Sequence, residues 1–169
     1  LAGQSILQFN ALRVKEVDYM LETERLTLRA WAETDAESLY AYAKDPDIGP
    51  IAGWPARRSK EESLNTIRHV LNGKECYAIC ERGSNNPIGS IELKLNGHTD
   101  MTDRDDECEL GYWLGKPFWG RGYMPEAAKE VIRHGFVDLG LFCLWQGLDR
   151  IAHRYYRHPL VRLGKIDSQ

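Results

Sequence analysis

Apolar and polar residues alternate along Leu21-Glu-Thr-Glu-Arg-Leu-Thr-Leu-Arg29. Leu26 and Leu28 fall on one face and Thr27 and Arg29 on the other, as in a half-buried strand over 25–31. Thr34 or Asp35 can cap a helix that runs to Lys44. Asp45-Pro46 ends it, because the residue before proline avoids the helical region. After a Gly/Pro-rich loop at 48–58, Ser59-x-x-Glu62 is a capping box. It opens a second helix to Leu71 with Leu64, Ile67, Val70 and Leu71 inward, closed by Asn72-Gly73. Strands 75–82 (Tyr77 and Ile79 on one face) and 88–95 flank the turn cluster Gly83–Pro87 and make a hairpin. An acidic loop, 98–107, precedes strand 108–114. Pro125 fits the first turn of a helix over 125–138, where Ala128, Val131, Ile132 and Phe136 recur with a 3.6-residue period. Gly140 stops that helix, and 141–147 reads as one more strand. The order β-α-α-β-β-β-α-β predicts an α+β domain, a mixed and mostly antiparallel sheet flanked by helices.

Composition narrows the function classes. A chain of 169 residues suffices for one domain with a real core. A net charge of −3 gives no electrostatic case for nucleic acid or an anionic membrane surface. No apolar run approaches the roughly eighteen residues that span a bilayer. Residues 1–19 carry scattered charges and no apolar run, so they do not read as a secretory signal. They read as an N-terminal extension, a native arm or sequence upstream of a start at Met20, with the domain itself at 20–148. Cys76, Cys80, Cys108 and Cys143 show no metal or redox spacing and read as buried thiols in a reducing, cytoplasmic compartment. The five histidines lack ligand spacing and the acidic loop lacks the spacing of a calcium loop, so no metal is expected.

The chemistry concentrates in Glu109-Leu-Gly-Tyr-Trp-Leu-Gly-Lys-Pro-Phe-Trp-Gly-Arg-Gly-Tyr-Met-Pro. A strand runs into a Gly-rich turn at 116–122 and then into a helix. Such a helix N-terminus offers unpaired N–H groups and a positive dipole end, an anion site suited to a pyrophosphate. The G-x-x-x-x-G-K-[S/T] phosphate loop is absent, and Gly120-x-Gly122-x-x-Pro125 lacks the third glycine of the dinucleotide fingerprint. Taken alone, the two glycines also suit an ordinary tight turn.

Together, Trp119-Gly-Arg-Gly-Tyr after Glu109-Leu-Gly-Tyr-Trp-Leu, and the opening Glu22-Thr-Glu-Arg-Leu-Thr-Leu-Arg29, resemble the GNAT family of N-acetyltransferases, in particular its RimJ/RimL-like branch. Gly120 and Gly122 match the small positions of the family loop, while Pro117 stands where it often carries Gln or Arg. The resemblance covers residues 20 to 145. It implies a sheet whose two strands around the cofactor helix splay apart, with acetyl-CoA as co-substrate in the wedge. It implies acetyl transfer to a primary amine, most plausibly a protein N-terminus, with a small-molecule amine next. Trp119, Gly120, Arg121, Gly122, Tyr123 and Met124 would hold the pyrophosphate. Tyr112, Trp113 and Leu114 would bond the pantetheine arm by their main chain and offer an N–H to the thioester oxygen. Glu109 is the candidate general base, since a partly buried carboxylate can be tuned to accept the amine proton. A strand-end surface glutamate is the plainer alternative. Glu92 is a weaker candidate, and Trp31 and Trp54 either wall the acceptor pocket or simply pack.

Past Trp145 the resemblance stops. The family's Asn-x-x-Ser-like helix and K-x-G-F strands are absent, and 149–169 is an atypical basic tail with five Arg or Lys against two Asp. The final strands are therefore expected to be missing or divergent, with 149–157 as an alternative helix. A homodimer through this region would cover the open edge. Two rivals to the enzyme follow: an acyl-CoA-binding module without turnover, and a truncated, inactive relative.

Overall fold

The computed structural model describes residues 20–49, 54 and 58–148, and the backbone of a strand at 156–162. Among them, seven strands form one sheet in chain order: β1 (Leu21–Glu22), β2 (Leu26–Ala30), β3 (Cys76–Glu81), β4 (Pro87–Lys94), β5 (Glu107–Leu114), β6 (Cys143–Leu148) and β7 (Tyr156–Arg162). Neighbours are antiparallel except β5 and β6, which run parallel. A parallel pair needs a long crossover, and α3 (Tyr123–Arg133) lies within it. The helices α1 (Ala36–Ala43) and α2 (Lys60–His69) lie between β2 and β3 in the chain. The α+β reading of the sequence is the observed fold.

Both faces of the sheet are covered. Leu26, Leu28, Ile79, Ile91, Leu93, Cys108 and Leu110 pack with Ala127 and Val131 of α3. A second cluster joins Ala36, Leu39, Ala43 and Ile67 of α1 and α2 to Trp31, Trp54 and Trp113. Double coverage explains β3, where Cys76 to Cys80 are all buried and the alternation expected of Tyr77 and Ile79 disappears. All four cysteines are buried, and none is in a disulfide. Burial pushes the Cys108 thiol up to about 12.

Local expectations change in several places. Ser59 Oγ accepts the Glu62 N–H at 3.1 Å, but Glu62 Oε2 reaches the Arg58 N–H at 2.7 Å, so the reciprocal arm of the box lies one residue early. Val70 is 63% exposed, because α2 ends before it. Asp35 does not cap α1 by its side chain. Its Oδ2 accepts from the Ala32 N–H at 2.8 Å and from Arg29 Nη1 at 2.8 Å, closing a turn at Glu33–Asp35 ahead of the helix. The third helix begins two residues earlier than expected and finishes as one wide π turn, His134–Asp138.

That π turn buries His134, with Nε2 3.0 Å from Glu75 Oε2 and Nδ1 2.8 Å from Asp138 Oδ2. Tyr77 donates its hydroxyl to the same Glu75 oxygen at 2.6 Å. Hydrogen bonds from Arg133, then His134, hold the Asp138 carboxyl down at about 2. A folded-state pKa below the unfolded value of about 3.9 stabilises the fold above that value. The contribution is lost as pH falls through the folded pKa. The urea midpoint should therefore drop between pH 4 and pH 2, and less steeply in Asp138→Asn. Equal slopes in the two proteins would remove Asp138 from the account.

At the C-terminal end, a strand is present where the sequence predicts missing or divergent ones. β7 pairs with β6 from Cys143↔Arg162 to Leu148↔Tyr156. The expected helix over 149–157 runs into β7 at Tyr156, and its remainder, 149–155, lies outside the described residues. β6 thus has a partner on its outer side within the chain, and a dimer is not needed to cover it.

Candidate functional site

β5 and β6 pair over three positions: Glu107↔Cys143, Cys108↔Leu144 and Glu109↔Trp145. Beyond Glu109, β5 continues against β4 as far as Gly89↔Leu114, while β6 no longer pairs with it. The strands therefore part into a wedge. Gln146 Nε2 donates to the Tyr112 hydroxyl across it.

Beside the wedge lies a cleft of about 360 Å³. It is lined by Tyr112, Trp113, Leu114, Trp119, Gly120, Gly122, Tyr123 and Met124, residues the sequence singles out, and by Asp47, Ile48, Phe118 and Pro125. Asp47 is an ion-pair partner of Lys116. Asp47 and Ile48 stand where α1's exit meets the loop at 48–58, and no motif in the sequence places them at the turn. Arg121 does not line the cleft. Its guanidinium carbon lies 5.5 Å from the centre of the Phe118 ring.

The turn is fixed at both ends. Trp119 Nε1 donates to the Leu114 carbonyl at 2.7 Å, and the Glu126 N–H to the Gly122 carbonyl at 3.2 Å. Gly120 and Gly122 have φ of 75° and 77°, a region that strains any residue with a Cβ. A Cβ on Gly120 would meet no atom within 4 Å, so packing does not demand the glycine and open space lies beside it. The N–H groups of residues 120–124, Pro125 excluded by its ring, have no acceptor among the described residues. This is the donor set that a pyrophosphate fits, and the apolar cleft beside it suits a pantetheine arm.

Glu109 stands where the wedge begins. It is 4% exposed; Thr99 Oγ1 donates to Oε2 at 2.6 Å and Lys94 Nζ to Oε1 at 3.1 Å. The sequence alternative, a surface glutamate, does not describe it. At about 3.4 Å per residue, Tyr112 lies about 10 Å further along the strand. Lys94 Nζ is also 3.7 Å from Glu92 Oε1. Lys94 and Glu92 line a second, more polar cavity of about 330 Å³ with His69, Lys74, Glu75 and His98. Glu92 lies over Gly111, where a Cβ would come within 2.9 Å of its Oε1. Trp31 and Trp54 pack on Trp113, with ring centroids 6.4 Å and 6.1 Å away. Among the described residues no group of three His, Cys, Asp or Glu is placed to hold a metal ion.

A sequence profile described as the Acetyltransferase (GNAT) domain matches residues 25–157. The chain belongs to the GNAT acetyltransferase family. Relatives in the family include the uncharacterized N-acetyltransferase p20 of Bacillus licheniformis, 30% identical over 128 residues that make up 72% of this chain and 68% of that protein. The FsC-acetyl coenzyme A-N(2)-transacetylase of Aspergillus fumigatus is 45% identical over 131 residues, 72% of this chain and 54% of that protein. The chain thus spans about half of the Aspergillus enzyme. A solved structure of a putative ribosomal-protein-serine acetyltransferase from Vibrio cholerae has a TM-score of 0.64 at 26% identity, covering 80% of this chain and 76% of that one. The GNAT acetyltransferases use acetyl-CoA. No helix among the described residues of this family member is long and apolar enough to cross a membrane.

Proposed function

We propose that this acetyltransferase moves the acetyl group of acetyl-CoA onto a primary amine in a ternary complex. The observation that carries the reading is the run of N–H groups from Gly120 to Met124, without an acceptor among the described residues, at the head of α3 beside an apolar cleft and a parted sheet. Acetyl-CoA supplies a thioester there, whose C–S bond breaks as the bond from amine nitrogen to acetyl carbon forms, the thiolate taking up a proton. The turn at 120–124 binds the pyrophosphate by main-chain N–H groups. Tyr112, Trp113 and Leu114 orient the arm along the free edge of β5, and one of their N–H groups faces the thioester oxygen. Arg121 adds positive charge from the rim. Glu109 takes the amine proton at a carboxylate oxygen, and Thr99 and Lys94 hold that carboxylate in place. An acceptor amine reaches it from the cavity lined by Glu92 and Lys94.

The 45% identity to the Aspergillus transacetylase, whose name specifies an N(2) position on FsC, favours a small-molecule amine over the protein N-terminus that the sequence resemblance puts first. The likeness to the Vibrio protein, whose name specifies a ribosomal-protein serine, favours a protein acceptor. Calorimetric titration of acetyl-CoA, followed by a CoA-release assay on small amines and N-terminal peptides, decides. The reading expects saturable binding and CoA release with one class. Binding without release from any amine would turn the chain into a sensing module. An absence of binding would mark it as an inactive relative.

A further inference from the structure

Arg25 stands just before β2, far in sequence from the cofactor turn, yet its bonds converge on that turn. Its Nε donates to Glu126 Oε2 at 2.7 Å, and its Nη2 is 2.6 Å from the same oxygen. Its backbone N–H donates to Glu126 Oε1 at 2.8 Å, and Thr23 Oγ1 donates to that oxygen at 2.6 Å. Nη1 donates to the Arg121 carbonyl at 3.0 Å. The guanidinium carbon lies 4.7 Å from the centre of the Tyr123 ring, and Nη2 would be 3.4 Å from a Cβ on Gly122. Arg25 therefore touches the carbonyl between the two glycines, the first residue of α3, and a carboxylate in the helix's first turn.

That carboxylate poses an electrostatic problem. Alone, Glu126 would be at home near a helix N-terminus. A ligand pyrophosphate needs the same N-terminus, and an uncompensated carboxylate one turn away opposes it. Partial burial works to raise the Glu126 carboxyl, but hydrogen bonds from Thr23 and Arg25 outweigh it and hold the group below the usual carboxylate range, so it is charged at neutral pH. The only cation bonded to it among the described residues is Arg25.

We infer that Arg25 is a positioning residue of the anion site: it neutralises Glu126 and fixes the Arg121 carbonyl, so that the helix head accepts a pyrophosphate. The inference rests on the acetyl-CoA reading of the turn. Its plain rival is that Arg25 and Glu126 merely staple the β1–β2 corner to α3.

The two accounts differ in the sign of one effect. If the pair is only a staple, Arg25→Ala and Glu126→Gln both loosen the corner, and acetyl-CoA affinity falls in both. If Arg25 serves the anion site, Arg25→Ala leaves a bare carboxylate and weakens acetyl-CoA about tenfold. Glu126→Gln instead leaves the arginine uncompensated, and affinity rises about threefold at low salt. The experiment is calorimetric titration of acetyl-CoA into the full chain and each variant at two salt concentrations, with melting temperatures recorded alongside. Opposite changes that shrink in high salt support the inference. Parallel weakening, or no change in Arg25→Ala, overturns it while leaving the acetyl-CoA site standing. A wild-type protein that binds no acetyl-CoA overturns the site reading itself.

Discussion

Gly120→Trp should abolish measurable acetyl-CoA binding, a rise in Kd of at least about 100-fold, or about 2.7 kcal/mol. The glycine's φ of 75° and the open space beside it are the reasons. An indole there would fill the volume assigned to the pyrophosphate without displacing a protein atom. The left-handed backbone would cost about 1–2 kcal/mol, tolerable within a folding stability of about 5–15 kcal/mol. Gly140 makes the matched control: its φ is 69°, a Cβ on it also meets nothing within 4 Å, and it lies beyond the far end of α3. Gly140→Trp should carry similar strain and bind acetyl-CoA as wild type does. Calorimetry on both, with melting curves, separates blocked binding from lost structure. Wild-type affinity in Gly120→Trp would refute the placement of the cofactor.

Glu109→Gln should lower kcat by about 100- to 10,000-fold, the range expected for loss of a general base. Its Kd for acetyl-CoA should stay within about twofold, because the residue lies about 10 Å along β5 from Tyr112. The amide keeps the shape and can still accept from Thr99. Lys94 retains Glu92 at 3.7 Å, so the substitution does not strand a cation without a partner. Single-turnover measurement of CoA release reads the chemical step directly. A kcat within threefold of wild type, together with a lower melting temperature, would reassign Glu109 to a structural ion pair with Lys94.

The parts of the site that lie close together in sequence were legible there. A strand, a Gly-rich turn and a helix head follow one another between Glu109 and Pro125, and their local geometry is dictated by glycine, proline and the helix ends. Leu26 and Leu28 likewise announced their buried face by alternation, because β2 has a half-polar opposite side. What escaped were relations between distant segments. Nothing in the residues around Asp47 says that they meet the turn, and Arg25 reads as one more polar position in a strand pattern. The sequence leaves His134 open as a surface or a satisfied polar histidine; the π turn and Glu75, just before β3, make it a buried, hydrogen-bonded hub. Val70 failed for a simpler reason, since periodicity cannot say where a helix stops. The motifs legible by eye stop at Trp145, although the family match runs to residue 157; β7 forms there because strand pairing is made by main-chain groups that any non-proline side chain permits, and Pro159 sits where the register shifts.

The parting of β5 and β6 also bears on how the domain comes undone. From β2 to β5 neighbouring strands pair over five or six positions, and a rupture there must break several rungs together. Across the β5–β6 seam only three residue pairs hold. Their failure would release β6 and β7 as a flap while the rest keeps its hydrogen bonds, the kind of subglobal opening in which stability differs between regions of one fold. The seam is also where the proposed ligand lies along the vacant edge of β5. A bound pantetheine arm would therefore act as a partial extra rung, and the flap would be slower to open in the loaded protein than in the empty one.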